Sequence, residues 1–389
     1  MKVVIIGAGL QGRSVLAQLC KRNNLQYTFI EHDYEHMKLI QTQKSYKIQL
    51  VGNETNVVTM GIPEIINRHD IPACKEHIME ADIILTSTSE TSQKDIGVLF
   101  GEVANMVYNS GESLGRKNII LCENSATPLG NFNQGLLMSI APCFLSRFQE
   151  EVGICEALSM SIATKLNNNN ASEVDILSQD LIKLYINKSL YKGDLPYING
   201  FYFVDHFEKL RLQALYTNNT GSAFIGYLGW LKGYTFLPDA IADQQISALL
   251  DCCYIEINQA LIKELGVSPQ VQLELSRIAQ WKYSMVNDSI KRHVRSVIRK
   301  LGPKERLVGI SNMALRNGVI PDTLALAIAS ALFYYDETDQ ETIQLQQMRK
   351  EQGISYILEN ICCIDMDSEL HIIIDEKVKW LKTEGLINN

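Results

Sequence analysis

Nowhere in the 389 residues does an apolar run reach the roughly 20 residues that a membrane-spanning helix requires. The chain enters a strand pattern at its second residue, so no signal peptide is expected and a cytoplasmic setting is. A surplus of basic charge is also lacking. Lys and Arg number 36 against 44 Asp and Glu, a net charge of −8, which argues against nucleic acid as the partner. The nine cysteines contain no C-x-x-C pair. Cys252-Cys253 and Cys362-Cys363 lie in apolar, helix-type surroundings, so neither a metal site nor a disulfide framework is expected, and buried free thiols are. Internal repeats and long low-complexity tracts are missing as well. What these absences leave is a globular protein with ordinary apolar content, long enough for two domains.

The richest stretch comes first. Lys2-Val3-Val4-Ile5-Ile6 reads as a buried strand and runs into Gly7-Ala8-Gly9-Leu10-Gln11-Gly12-Arg13. The three glycines stand at G-x-G-x-x-G spacing, and helix periodicity follows at Val15, Leu16 and Leu19. Such a turn uses Gly7 for the bend, Gly9 for close approach of a pyrophosphate, and Gly12 for helix–strand packing. The helix start then offers free N–H groups to the phosphates, and Arg13 is expected to meet them too. Glu31 ends the next apolar run, Tyr27-Thr28-Phe29-Ile30, where a carboxylate can take the adenosine ribose hydroxyls and repel a 2′-phosphate. NAD rather than NADP is the expected cofactor.

Strand and helix signals alternate through the first half. Tyr34–Gln43 reads as a helix, and residues 46–51 and 56–60 as a hairpin. Residues 81–88 and 118–122 read as buried strands, 96–108 as a helix, 128–145 as another, and 153–164 as a strand. The polar tract 167–170 is a loop, and 173–177 a last strand of the first domain. Gly7–Gly12, Glu31, Thr86 and Glu123 all fall at carboxyl ends of strands, where doubly wound sheets bind ligands. Beyond Gly193-Asp194-Leu195-Pro196 helix patterns dominate, broken near Gly233, Pro238, Gly266, Gly302-Pro303 and Gly318. The expected fold class is α/β, an N-terminal Rossmann doubly wound sheet with an all-helical C-terminal domain. Residues 1–195 form the dinucleotide domain and 196–389 the helical substrate domain. Cofactor contacts are expected from Gly7, Gly9, Leu10, Gln11, Gly12, Glu31, Thr86 and Glu123.

Over nearly its whole length the chain resembles the long-chain polyol dehydrogenases of the mannitol-1-phosphate 5-dehydrogenase type. The carriers are the glycine turn, Cys122-Glu123-Asn124, Asn219-Thr220-Gly221, and Arg292–Lys300 followed by Leu301-Gly302-Pro303-Lys304-Glu305-Arg306. The resemblance implies hydride transfer between NAD and a small sugar-alcohol phosphate, without metal. It assigns Asn124 and Asn219 to polarising the reacting oxygen. The family's motif K-x-x-x-x-N-x-x-H places its lysine at Ala214 and its histidine at Ser222. Its V-D-R-I-V-P segment corresponds to Leu158–Ala163, without either charge, and its R-F-x-N segment to Gln280-Trp281-Lys282-Tyr283. Alanine cannot titrate, so the general base is absent from its usual place.

Asn124, Asn219 and Ser222 are therefore the catalytic candidates. Lys209, Arg211 and Tyr216 are alternatives for proton transfer. Arg292, Arg295 and Arg299, at i, i+3 and i+7, are expected to share one helix face and to clamp a phosphate or carboxylate. The expected activity is that of an NAD-dependent oxidoreductase on a polyol- or carbonyl-type anion. The alternative is a dinucleotide-binding protein without catalysis.

Overall fold

The computed structural model describes every residue except 52–55, 90–91, 124–127, 160, 162, 167–170, 286 and 388–389. The chain divides into two compact units, Met1–Phe207 and Glu208–Asn389.

The first unit is built on a sheet whose parallel strands are β1 (Lys2–Ile6), β2 (Gln26–Glu31), β5 (Ile65–Asn67), β6 (Ile83–Thr86), β7 (Lys117–Leu121) and β8 (Val152–Ser159). Their spatial order is β5-β2-β1-β6-β7-β8, so the chain reverses direction across the sheet beside β1. Successive residues of these strands point to opposite layers. Val3 and Ile5 enter one core, Val4 and Ile6 the other, which is why the run is apolar without alternation. On one layer the helices Gln93–Asn109 and Pro128–Ser139 approach so closely that a Cβ on Gly97 or Gly135 would overlap the facing main-chain oxygens of Phe132 and Lys94.

β3 (Ser45–Val51) and β4 (Asn56–Gly61) pair antiparallel, with Ile48 opposite Val58, as the hairpin reading expects. The Gly52-Asn53 turn lies outside the described residues. β3 also pairs with β10 (Ile176–Gln179), and β10 with β9 (Ala163–Lys165), giving a second sheet of order β4-β3-β10-β9. The expected single strand over 153–164 is thus two strands in two sheets. The strand expected at 173–177 begins later, because Asp175 closes a turn on Ser172. It is not the last either. β11 (Leu184–Asn187) runs antiparallel to β8, and β12 (Phe201–Val204) parallel to β11. This pairing keeps residues beyond 195 in the first unit. The helix expected over 128–145 is two, Pro128–Ser139 and Pro142–Glu151. Pro142 holds Ala141 extended at ψ 133° and starts the second.

The second unit is helical. Its core helices, Thr220–Leu231 and Asp322–Ala331, are buried on nearly all sides, as their apolar composition requires. Gly266 ends Gln244–Leu265 in the left-handed conformation at φ 64°, and Gly318 follows Val308–Arg316 at φ 66°, both at the expected breaks.

Asp243 caps the long helix Gln244–Leu265 by accepting from the N–H groups of Gln245 and Ile246, and it also receives Lys232 Nζ at 2.6 Å. The Lys232 bond, together with the capping amides, holds its carboxyl down at about 2. A depressed carboxylate stabilises the fold above its ordinary pKa of 3.8 and loses that contribution as pH falls towards 2. Asp243→Ala is expected to cost about 1–2 kcal/mol at pH 7. Denaturation series at several pH values should show the gap between parent and variant closing only below pH 4, from about pH 3.8 down to about 2.

Candidate functional site

Gly7 follows β1 at φ 103°, a conformation that favours glycine, and a Cβ there would overlap Ser87 O. On Gly12 a Cβ would overlap Gly7 O. Gly9 differs: among the described residues nothing stands within 4 Å of its would-be Cβ. The two outer glycines are required by the protein's own packing, whereas the middle one faces open space. The segment Gly12–Leu16 that follows is a π turn, closed by Ala17 N–H on Gly12 O.

Glu31 is buried. Its Oε2 accepts from Ala8 N–H at 2.8 Å, and its Oε1 from the N–H groups of His32 and Asp33 at 2.8 and 3.0 Å. The carboxylate therefore braces the glycine turn, and Oε2 keeps one acceptor position for a ribose hydroxyl. Arg13 does not reach a phosphate position. Its guanidinium is buried and donates to Ala8 O and Val174 O, because the side chain runs inward beneath Tyr46. Thr86 and Glu123 are buried and spend their side chains on each other. Thr86 Oγ1 donates to Glu123 Oε2 at 2.8 Å, and Thr88 donates to Oε1 through both N–H and hydroxyl. Burial raises the Glu123 pKa. The pair ties the carboxyl end of β6 to that of β7. Leu10 and Gln11 are half-buried, and Gln11 Nε2 donates to Ser161 O at 2.9 Å. Asn124 lies outside the described residues.

In the second unit Asn219 ends another π turn, Leu215–Asn219, closed by Thr220 N–H on Leu215 O. In an α-helix five residues turn through about 500°, so positions 214 and 219 would point about 140° apart. The π turn closes i→i+5 and so narrows that angle, with Ser222 three residues beyond Asn219. Asn219 is half-buried, and its carboxamide makes no hydrogen bond among the described residues. Ser222 is buried and donates to Asn219 O at 3.2 Å. Tyr254 and Tyr283 donate their hydroxyls to Thr217 O and Asn218 O. A Cβ on Gly221 would collide with both hydroxyls, which explains the glycine of Asn219-Thr220-Gly221. Thr220 Oγ1 donates to Arg306 O at 2.6 Å and Tyr216 to Lys304 O, so the Leu301–Arg306 block packs on the same turn.

The alternative proton carriers are otherwise engaged. Lys209 Nζ donates to Leu265 O, Arg211 pairs with Glu208, and burial pushes Tyr216 up to about 12. Sequence reasoning missed the partner of His293, Asp288 at 2.9 Å. It also missed buried Lys300, whose Nζ donates to His293 O and Arg295 O and whose pKa burial lowers to about 6.

The arginine stripe is corrected. Arg292, Arg295 and Arg299 do not share a helix face. The helix Ile290–Val294 stops at Arg295, Ser296 is left-handed at φ 59°, and a new helix runs Val297–Lys300. Asp339 receives Ser296 N–H, and Glu341 receives those of Ile298 and Arg299, which fixes the break. Arg292 pairs with Asp288 and Arg299 with Glu305, both at 2.9 Å. Arg295 is exposed and has no ion pair among the described residues.

Fold and turns together define a two-unit protein with a dinucleotide-binding Rossmann unit and a helical unit. The mannitol dehydrogenase Rossmann domain matches residues 1–200, and the mannitol dehydrogenase C-terminal domain matches residues 204–373. The chain belongs to the mannitol dehydrogenase family. It is 28% identical to mannitol-1-phosphate 5-dehydrogenase of Oceanobacillus iheyensis, over 99% of this chain and all of that protein. It is 26% identical to the enzyme of that name from Brevibacillus brevis, over 98% of each. In structure it is similar to Pseudomonas fluorescens mannitol 2-dehydrogenase, solved with NAD and D-mannitol, at a TM-score of 0.78 and 14% identity, covering 99% of this chain and 92% of that one. A D-sorbitol dehydrogenase in substrate-free form gives 0.77 and 14% over 99% and 93%.

Gly9→Val separates ligand from fold. The Cβ enters space that no atom of the described residues occupies, so the apo melting temperature should stay close to the parent's. The thermal shift given by NAD should vanish. A full NAD shift in the variant would mean that Gly9 does not line the site.

Proposed function

We propose that the protein is an NAD-dependent oxidoreductase of the mannitol dehydrogenase type whose substrate is a polyol- or carbonyl-type anion and whose proton-handling residues have been replaced. The observation that supports this is the motif around the π turn at Leu215–Asn219, in which Asn219 is kept while Ala214 and Ser222 occupy the lysine and histidine positions. When bound, the cofactor supplies or accepts the hydride. Gly7, Gly9 and Gly12 shape its pyrophosphate seat, and Glu31 offers one acceptor to the ribose. The free carboxamide of Asn219 donates to the substrate oxygen as that oxygen gains charge. Asn124 has the same role by its place in the C-[DE]-N motif.

Neither Ala214 nor Ser222 supplies a base, so the proton comes from water. That suits reduction of a polarised carbonyl or imine better than oxidation of an alcohol. Arg295 is free to take the anionic end of the substrate, whereas Arg292 and Arg299 are neutralised by Asp288 and Glu305. The second reading, a dinucleotide-binding protein without turnover, draws on the same Ala214.

NADH oxidation with ketose phosphates, keto acids and keto acid–amine mixtures separates the two readings. Turnover with one member supports the enzyme. NADH binding without any turnover establishes the second reading. Oxidation of mannitol 1-phosphate by the parent is expected to run about 10²–10⁴-fold below that of an enzyme holding the lysine. Ala214→Lys combined with Ser222→His should raise it, and robust activity of the unmodified chain would refute the account of Ala214.

Arg295→Ala should weaken binding of a phosphorylated sugar, at saturating NAD, by roughly ten- to a hundred-fold, corresponding to about 1.5–3 kcal/mol for a charged hydrogen bond. Lys304→Ala serves as the surface control. Calorimetric titration reads both, and equal affinities would remove Arg295 from the site.

A further inference from the structure

The segment Gln280-Trp281-Lys282-Tyr283, which stands where the family has R-F-x-N, lies near the end of the helix Pro269–Met285. Lys282 is buried there, with only 3% of its surface exposed. We propose that Lys282 is the proton carrier of the reaction, serving from the helix that packs on the π turn in place of the family's lysine at 214. This rests on the reading of the chain as an oxidoreductase. It adds the group through which a proton from water reaches the substrate oxygen.

Three observations converge. The first is position. The helix lies along the motif: Gln272 Nε2 donates to Thr217 Oγ1 at 3.0 Å, and Gln213 Nε2 to Gln272 Oε1 at 2.8 Å. Tyr283, the residue after Lys282, donates to Asn218 O, and its hydroxyl stands 3.0 Å from where a Cβ on Gly221 would be. That end of the helix therefore sits against residues 218–221, beside Asn219. The second is direction. At about 100° per residue, Gln280 lies about 60° to one side of Tyr283 and Lys282 about 100° to the other. Gln280 donates to Asp251 of the helix Gln244–Leu265 at 2.8 Å. Lys282 thus flanks the π turn on the side away from that helix. The third is state. Burial lowers the Lys282 pKa to about 8. Of the titratable groups around it, Asp251 is taken by Gln280, and burial raises Tyr216, Tyr254 and Tyr283, which stay neutral. An amine in that range holds and releases a proton near neutral pH, which alanine at 214 cannot do.

The step balances in both directions. In reduction, hydride from the nicotinamide adds to the carbonyl carbon and the C=O electron pair moves to oxygen. The Lys282 ammonium gives that oxygen its proton, directly or through one water, and the neutral amine is reprotonated from solvent. In oxidation the neutral amine takes the hydroxyl proton as hydride leaves.

The test follows NADH oxidation with fructose 6-phosphate and a set of keto acids, and NADH binding by calorimetry, in the parent, Lys282→Met and Lys282→Arg. Methionine fills the site without charge, and arginine keeps the charge but does not give up its proton. Both variants should bind NADH as the parent does and lose about 10²–10⁴-fold in kcat. The parent's kcat for reduction should fall above about pH 8, where the ammonium is lost, and the residual rates of the variants should not. Should one variant melt early, the other still reads the effect. Parental kcat in a folded variant overturns the proposal, as does a fall near pH 8 that persists in both. Loss of turnover together with loss of NADH binding or of fold in both variants also overturns it, since Lys282 would then be structural. A parent that binds NADH and reduces none of these compounds defeats the oxidoreductase reading and this proposal together, whereas a parent that turns over no faster than its folded variants defeats the proposal alone.

Discussion

A backbone carbonyl that leaves the helix ladder must find another donor, and both functional turns of this protein depend on that requirement. Each is a π turn, which widens the helix by one residue and takes carbonyls out of the i→i+4 pattern. In the first unit Tyr46, from β3, donates its hydroxyl to Arg13 O at 2.7 Å. In the second, Tyr254 and Tyr283 do the same for Thr217 O and Asn218 O. All three tyrosines are buried, and burial pushes their pKa values up, so they remain neutral donors. A buried acceptor left bare would cost about 1–3 kcal/mol. The small second sheet and the helix Pro269–Met285 therefore do more than fill space: each delivers the donor that lets a turn depart from α geometry.

This dependence explains why some parts were legible in the sequence and others were not. The parallel strands were readable because their side chains are buried on both faces, which leaves an unbroken apolar run. The glycine turn was readable because contacts within the first unit forbid a Cβ at Gly7 and Gly12. The π turns were not readable. Their signal is a tyrosine distant in sequence, and periodicity reports only neighbours along the chain. The arginine stripe failed for a related reason. Asp339 and Glu341, some forty residues away, stabilise the break at Ser296, so the i, i+3, i+7 count described a helix that tertiary contacts interrupt. Arg13 was misplaced because its position beside the turn gave no hint that Val174 O and Tyr46 lay within its reach.

The candidate site was legible by residue type but not by state. Asn219, Gly9 and Glu31 could be named from spacing. That among the described residues the Asn219 carboxamide has no partner and Gly9 faces open space, and that Glu31 has already spent three acceptor positions on main-chain amides, follow only from geometry.

The second unit has a turn of the same kind where the motif positions 214 and 222 hold alanine and serine. Proton transfer from position 214 requires a side chain that titrates, and alanine does not. If the turn served the lysine alone, its loss would leave Tyr254, Tyr283 and Gly221 with nothing to maintain, and an ordinary α-turn would satisfy the backbone without them. The turn also sets Asn219, whose carboxamide makes no hydrogen bond among the described residues. A neutral amide donor aimed by buried tyrosines can polarise an oxygen at any pH at which the fold persists.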